Sequence, residues 1–169
     1  MIGRTPTTEL TLVSRQFKDS SDLRVIGVDE TGRGSLVGSV VAAAVVLPFD
    51  FHIPDLTDSK KLSEKKRDSL YQQITKQCEW SVSEASCIEI DQFNILRATM
   101  LAMKRSIINL QEEYASKKRQ TIFNVIVDGN LCPDVPNCTA IVKGDLSEPT
   151  ISVASIIAKV TRDSQMREL

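Results

Sequence analysis

A short apolar segment that ends in two adjacent acids constrains this chain more than any other stretch. Residues 25–28 predict a short buried β-strand, which leads directly into Asp29 and Glu30 and then into a glycine-rich turn. Adjacent carboxylates repel each other, so a fold that places them at a strand end usually supplies a cation there. The glycines let the backbone approach a ligand, and Arg33 offers a planar set of donors suited to phosphate or sugar oxygens.

The same stretch has two other interpretations. Asp, Glu, Thr and Gly are favoured in ordinary turns for local reasons, so Asp29 and Glu30 alone leave a plain turn open. A dinucleotide-binding turn is disfavoured, because the glycines at 32, 34 and 38 depart from the Gly-x-Gly-x-x-Gly spacing and two carboxylates would lie beside the pyrophosphate. Residues 40–47 are also rich in valine and stop at Pro48, which indicates a strand rather than a phosphate-binding helix.

Composition places the chain among globular proteins. It has 169 residues, of which 41% are hydrophobic and 25% charged, and this excludes a disordered or collagen-like chain. The four cysteines form no Cys-x-x-Cys pair and His52 has no nearby partner, so no zinc site is predicted. Residues 1–22 predict a flexible N-terminal arm, and residues 23–169 predict a single folded domain. Neither a signal peptide nor a membrane span is predicted, and a cytoplasmic location is expected.

Strand and helix patterns alternate along the chain and predict an α/β fold. The predicted strands lie at 25–28, 37–47, 80–88, 121–127 and 139–142, and the predicted helices follow Ser63, include 93–110 and start near Ser152. The middle helix has an apolar face that we expect to cover the sheet, formed by Phe93, Leu96, Met100, Met103, Ile107 and Leu110.

Two further acids follow predicted strands, Asp128 before a glycine and Asp145 after Lys143-Gly144. Strand ends with glycine turns are where ligands gather in open α/β sheets, so we expect these acids to join Asp29 and Glu30. Four acids without a candidate nucleophile argue for oxygen-only coordination of Mg²⁺ or Mn²⁺. A pair of such ions can promote in-line displacement at a phosphodiester.

Several basic and polar residues are candidates for substrate contacts. Arg33, Lys60 and Lys143 would supply the positive surroundings that an anionic substrate needs. On the last helix, Ser155, Lys159, Arg162 and Asp163 fall at helical intervals on one flank. Periodicity does not decide whether that flank faces solvent or the acids.

Taken together, five blocks of the sequence resemble bacterial ribonuclease HII. They are Gly-Val-Asp-Glu-Thr-Gly-Arg-Gly at 27–34, Asp-Ser-Lys-Lys-Leu-Ser at 58–63, Val-Asp-Gly-Asn at 127–130, Lys-Gly-Asp at 143–145 and Ala-Ser-Ile-Ile-Ala-Lys-Val-Thr-Arg-Asp at 154–163. The likeness runs in order from about residue 25 to the last residue. It implies an RNase H-like fold, in which a mixed five-stranded sheet is flanked by helices, and makes residues 23–169 an RNase H-like catalytic domain.

The resemblance also implies an activity and a role for individual residues. The activity is metal-dependent cleavage of the RNA strand of RNA/DNA hybrids and nicking of duplex DNA 5′ to an embedded ribonucleotide, leaving a 3′-hydroxyl and a 5′-phosphate. By motif, Asp29, Glu30, Asp128 and Asp145 match the metal-binding acids. The segment Gly32, Arg33 and Gly34 matches the one that recognises the 2′-hydroxyl, Lys60 matches a phosphate-contacting lysine, and Asp163 is expected to help hold the acids in place.

The chain departs from the family pattern in three places. It ends before a Gly-Tyr-x-Thr segment whose tyrosine stacks on the sugar, so the catalytic domain is expected to be C-terminally incomplete. Thr31 and Ser35 replace residues that are commonly Ala or Val and Pro, and both are expected to be tolerated. Two alternatives stay open, a non-catalytic hybrid-binding fragment and a nuclease or resolvase acting on DNA alone. No obligate protein partner is expected, and a monomer is predicted.

Overall fold

The computed structural model describes residues 23–34, 38–53, 56, 61–117 and 121–168. The elements, in chain order, are β1 (Leu23–Thr31), β2 (Val40–Val46), α1 (Glu64–Gln77), β3 (Glu79–Ala85), α2 (Cys87–Lys117), β4 (Ile122–Asp128), β5 (Cys138–Ile141), α3 (Gly144–Ser147) and α4 (Pro149–Arg167). The predicted N-terminal arm, Lys60 and Ser35 lie outside the described residues.

One five-stranded sheet with the order β3-β2-β1-β4-β5 forms the centre of the fold. Strands β3, β2 and β1 are antiparallel neighbours, whereas β1, β4 and β5 run parallel. This confirms the predicted mixed sheet flanked by helices. Because β1 is central and pairs with β4 in parallel, the carboxyl ends of these two strands open at the same edge of the sheet.

Helices cover both faces of the sheet, and the side chains of β2 pack into the core on each face. Every residue of β2 is buried. Its side chains alternate, since Ala42 and Ala44 join the core under α2, while Ala43 and Val45 join the core under α1 and α4. A strand buried on both sides has no polar alternation, which explains the continuous apolar run of its sequence. None of the described helices is long and apolar enough to cross a lipid bilayer.

Helix α4 approaches β1 unusually closely at Gly27. A Cβ atom at Gly27 would lie 2.5 Å from the backbone carbonyl carbon of Thr150, in the first turn of α4. No side chain fits in that space, so the glycine permits the helix to lie directly on the strand. The contact occurs two residues before Asp29 and therefore brings α4 next to the end of β1 that carries the acids.

The predicted apolar face of the middle helix is correct only for its C-terminal part. Met103, Ile107 and Leu110 are buried, but Phe93 is 43% exposed and Leu96 is 38% exposed, so the prediction for these two residues was wrong. The cause is a break at Asn94, whose φ of 69° and ψ of 168° are not helical. A break changes the direction of the helix, so Phe93 does not share the face of the residues that follow Asn94. Leu96 lies in the first turn after the break, before the buried part of the helix begins at Ala98.

Several predicted boundaries also shifted. The first strand runs from Leu23 to Thr31 rather than from 25 to 28, so Asp29 and Glu30 lie within it and pair with β2. The third strand ends at Ala85 rather than continuing to residue 88, because Ser86 and Glu89 form a reciprocal capping box that starts α2. The last helix begins at Pro149, three residues before Ser152, and a proline in the first helical turn is favourable there. The N-cap predicted at Ser63 is confirmed, since its side chain accepts a hydrogen bond from the Lys66 amide.

Candidate active site

Two aspartates leave the sheet side by side at the carboxyl ends of its central parallel strands. Val28 of β1 pairs with Val127 of β4, and the next residue of each strand is Asp29 and Asp128. The apolar residues before them anchor both strands in the core. The pairing of β1 with β4 ends at Val28 and Val127, while β1 continues to Thr31 against β2. Parallel pairing therefore brings together two carboxylates that are 99 residues apart in the sequence.

A third aspartate arrives from the short helix α3. Lys143, with a φ of 56°, turns the chain after β5, and Gly144 packs so tightly that a Cβ there would lie 2.6 Å from Cδ1 of Ile151. The backbone amide of Asp145 donates to Oδ1 of Asp128 at 3.3 Å, and the Ser152 hydroxyl of α4 donates to the Asp145 carbonyl. The α3 turn and α4 thus hold Asp145 beside Asp128.

The three aspartates form a compact group of oxygen donors. One carboxylate oxygen from each of Asp29, Asp128 and Asp145 lies within 4.8 Å of the other two. Asp29 is 4% exposed and Asp145 is 8% exposed, so two of the three are almost completely removed from water. Oxygen atoms at this spacing suit a hard divalent cation such as Mg²⁺ or Mn²⁺.

Glu30 lies beside this group. Its Oε2 atom is buried and has no hydrogen-bond partner within the described part of the chain, while its Oε1 atom lies 3.9 Å from Nη1 of Arg33. A buried carboxylate oxygen without a donor is costly unless something positive faces it. The residue therefore fits the same cation-binding role as the three aspartates.

Burial and nearby negative charge disfavour the ionised forms of Asp29 and Glu30. Removal from water raises the pKa of Asp29 well above its ordinary value, and the nearby charges of Glu30 and Asp128 raise it further. Burial also raises the pKa of Glu30, an effect that Arg33 partly opposes. Bound cations would relieve both effects, because they replace the lost hydration and offset the repulsion.

The Gly32-Arg33-Gly34 turn begins directly after β1. Gly32 has a φ of +102°, a conformation that favours glycine, and a Cβ on Gly34 would meet nothing within 4 Å. The side chain of Arg33 is 46% exposed at the mouth of the acidic group. An open turn with an exposed arginine leaves its backbone and guanidinium accessible to a ligand beside the carboxylates.

The other predicted site residues lie at different places. Lys143 is exposed and precedes α3, and Ser155 is partly buried on α4. Lys159 pairs with Asp163 at 2.9 Å, and Asp163 also lies 3.9 Å from Nη2 of Arg67 on α1. Asp163 is thus engaged in ion pairs between two helices rather than grouped with the three aspartates.

Two residues near the site have no role that the sequence pattern predicts. Ser152 bonds the backbone of Asp145, and Arg162 is buried to 7% exposure and donates to the carbonyl oxygen of Ser39. Arg162 belongs to a helix flank whose direction periodicity leaves undecided. A buried arginine cannot be recognised from spacing alone, because its partners lie more than 100 residues away in the chain.

A mixed five-stranded sheet with acids at the ends of its central parallel strands defines the RNase H-like class of fold, and solved structures agree. The chain superposes on ribonuclease H2 from Pyrococcus horikoshii with a TM-score of 0.65 and 26% identity, covering 86% of this chain and 74% of that one. It superposes on Bst-RNase HIII in complex with Mn²⁺ with a TM-score of 0.72 and 19% identity, covering 89% of this chain and 56% of that one.

Within that class the sequence identifies the family. The profile of the ribonuclease HII family matches residues 26–169, and ribonuclease HII of Polynucleobacter necessarius is 53% identical over 147 residues. That alignment covers 86% of this chain and 73% of the relative. The chain therefore belongs to the ribonuclease HII family. It spans little more than half of the Bst-RNase HIII chain.

Proposed function

We propose that this chain is a metal-dependent endonuclease that cuts at ribonucleotides paired with DNA. The substrates would be the RNA strand of RNA/DNA hybrids and duplex DNA with an embedded ribonucleotide, cut on its 5′ side to leave a 3′-hydroxyl and a 5′-phosphate. The observation that carries the proposal is the group formed by Asp29, Asp128 and Asp145 beside the Gly32–Gly34 turn. Membership in the ribonuclease HII family supports the same assignment.

The donor set fits divalent cations. Asp29, Glu30, Asp128 and Asp145 would hold them, since all four are oxygen ligands and Glu30 contributes a buried oxygen that has no hydrogen-bond partner among the described residues. A related fold is known with Mn²⁺ in Bst-RNase HIII. When bound, two such ions supply a reactive water and stabilise the leaving oxygen of a phosphodiester.

The remaining residues would bind and orient the nucleic acid. The open backbone around Gly34 and the exposed Arg33 lie beside the acids and suit hydrogen bonds to a 2′-hydroxyl and its neighbouring phosphate. Lys143, Ser155 and Lys159 are further candidates for contacts with the strands, as is Lys60, which lies outside the described residues. We propose that residues 23–169 form this catalytic domain, acting in the cytoplasm as a monomer.

The test compares a DNA duplex carrying one ribonucleotide with the same duplex made only of DNA. We expect cutting of the first duplex alone, in Mg²⁺ or Mn²⁺, and its loss in EDTA. Cutting of both duplexes would indicate a DNA nuclease. Binding of the ribonucleotide duplex without turnover in excess Mn²⁺ would instead indicate a non-catalytic module.

The Asp128→Asn variant tests the mechanism. We expect it to lower the rate by at least about 100-fold and to abolish the rise in Tm that Mn²⁺ causes in the unmodified chain. The matched control is Asp134→Asn, in the loop that follows β4, where the side chain is 98% exposed. Full activity in Asp128→Asn would contradict the proposed role of the acids.

A further inference from the structure

The buried arginine of α4 contacts the connection between β1 and β2. Arg162 is 7% exposed, and its Nη1 atom donates to the carbonyl oxygen of Ser39, one residue before β2. A guanidinium has five N–H donors in a fixed plane, and burying it is favourable only where partners are arranged around that plane. The buried position of Arg162 therefore depends on the backbone around Gly32 and Ser39.

Both glycines that flank the connection pack against this guanidinium. A Cβ on Gly32 would lie 2.6 Å from Nη1 and 2.9 Å from Cζ of Arg162. A Cβ on Gly38 would lie 3.2 Å from Sδ of Met166 and 3.4 Å from both Nη1 and Nη2 of Arg162. Both glycines have positive φ, +102° and +93°. At each end of the connection, a glycine conformation therefore coincides with a position where any side chain would meet the same planar group.

The helix that carries Arg162 is itself held firmly. Ile156 and Ile157 of α4 are fully buried in the core beneath the sheet. Ser152, ten residues before Arg162 on the same helix, bonds the Asp145 backbone. At the rise of an α-helix these two residues are about 15 Å apart. One rigid helix therefore contacts the acidic group at one point and the glycine turn at another.

We infer that Arg162 is a positioning residue that holds the Gly32-Arg33-Gly34 turn in the conformation that recognises a ribonucleotide. The inference rests on the proposed function and deepens it, because it names the group that sets the selectivity of the turn. Arg162 acts through Gly32 and Ser39, and Arg33 and the turn backbone touch the substrate. Without the guanidinium, the turn samples other conformations and the preference for a 2′-hydroxyl falls.

The test uses the full chain with Arg162→Met and, as a matched control, Arg24→Met. Arg24 also bonds a carbonyl oxygen, that of Leu23, but it lies at the opposite end of β1. Affinities for the ribonucleotide duplex and the all-DNA duplex are measured in EDTA, where no cut is made. We expect Arg162→Met to lower the ratio of the two affinities by about 10-fold or more, and Arg24→Met to leave it unchanged.

A double-mutant cycle separates positioning from general damage. If Arg162 acts through the turn, Arg33→Ala lowers the ratio in the unmodified chain but adds little in the Arg162→Met background. If the two substitutions lower the ratio of affinities independently, so that their effects multiply, the inference is overturned.

The Arg162→Lys variant covers the case in which the methionine variant does not fold. Lysine keeps the positive charge but lacks the planar guanidinium, so we expect the ratio of affinities to fall by about 3-fold or more. An unchanged ratio in the lysine variant also overturns the inference.

Hydrogen exchange distinguishes this inference from the proposed function. Amides of Gly32 to Gly34 and of Gly38 and Ser39 should exchange faster in Arg162→Met or Arg162→Lys than in the unmodified chain, whatever the substrate. Unchanged exchange at these amides would contradict the positioning role of Arg162, even if the enzyme prefers ribonucleotides. If the unmodified chain shows no preference for ribonucleotides but the variants exchange faster, the proposed function is wrong and the structural role of Arg162 is still supported.

Discussion

At the scale of single residues, the acidic group is placed at the expense of folding stability. Asp29 is 4% exposed and has Glu30 and Asp128 as neighbouring charges, and burial followed by these charges raises its pKa well above the ordinary value. A carboxyl group with a raised pKa in the folded state stabilises the protein at low pH, and this contribution is lost as the pH rises through that pKa. At neutral pH without metal, the ionised group therefore opposes folding.

We expect Asp29→Asn to be more stable than the unmodified chain in EDTA at neutral pH, because the amide keeps the shape and removes the buried charge. Each kcal/mol relieved raises Tm by about 2–4 °C in a domain of this size. The difference should shrink as the pH is lowered towards the ordinary carboxyl range, about pH 4. Thermal unfolding followed across this pH range measures it, with the exposed Asp50→Asn as control. Equal stability of Asp29→Asn and the unmodified chain at every pH would contradict the prediction.

At the scale of an element, the start of α2 depends on one carboxylate that serves two purposes. Glu89 accepts from the Ser86 amide at 2.9 Å, completing the capping box. It also accepts from Nη1 and Nη2 of Arg105 at 2.9 Å and 2.5 Å. Arg105 donates further to the carbonyl of Glu84 on β3, so the same group links the helix start to an edge strand.

The charge of Glu89 gives this link a pH dependence. Hydrogen bonds from Arg105 and from the Ser86 amide lower the pKa of Glu89 from 4.5 to about 2. A lowered pKa stabilises the folded state at pH values above the ordinary pKa of 4.5. This stabilisation disappears as the pH falls from 4.5 to about 2. We expect Glu89→Gln to lower Tm at neutral pH, and the gap to close within that window. Glu112→Gln, on the same helix, is the control, and a gap independent of pH would argue against the ionic link.

At the scale of the whole molecule, α4 connects the parts of the site. Its first turn contacts β1 at Gly27, Ser152 bonds Asp145, and Arg162 contacts the turn after β1. The acids come from β1, β4 and the α3 turn, which are distant in sequence. Their arrangement depends on how closely this one helix lies on the sheet.

The contact at Gly27 can be tested by adding a single methyl group. A Cβ there would lie 2.5 Å from backbone and side-chain atoms of Thr150, and the backbone cannot move aside without shifting α4. We expect Gly27→Ala to lower the free energy of unfolding by about 1–3 kcal/mol and to reduce activity. Gly34→Ala is the matched control for stability, because its Cβ would meet nothing within 4 Å. Chemical denaturation measures both free energies of unfolding. Equal stability of the two variants would show that α4 can move away from β1 at little cost.

The sequence by itself determined the features that short-range patterns encode. Apolar runs, glycines and Pro48 predicted five strands, and the acids that follow those strands predicted a site formed by Asp29, Glu30, Asp128 and Asp145. The Ser63 cap followed from local hydrogen bonding in the same way. The strands and the cap depend on residues a few positions apart, where spacing and chemistry are sufficient. The grouping of the acids was predicted from a general rule, that ligands gather at strand ends in α/β sheets.

Only the tertiary structure decided how these elements meet. Spacing could not show that α2 breaks at Asn94 and leaves Phe93 in solvent, nor that Arg162 turns inward to Ser39. Nor could it bring the Asp145 amide to the Asp128 carboxylate. The physical reason is common to all of these. Burial and hydrogen bonding of a side chain are set by neighbours that the fold brings from distant parts of the chain, and a local pattern contains no information about them.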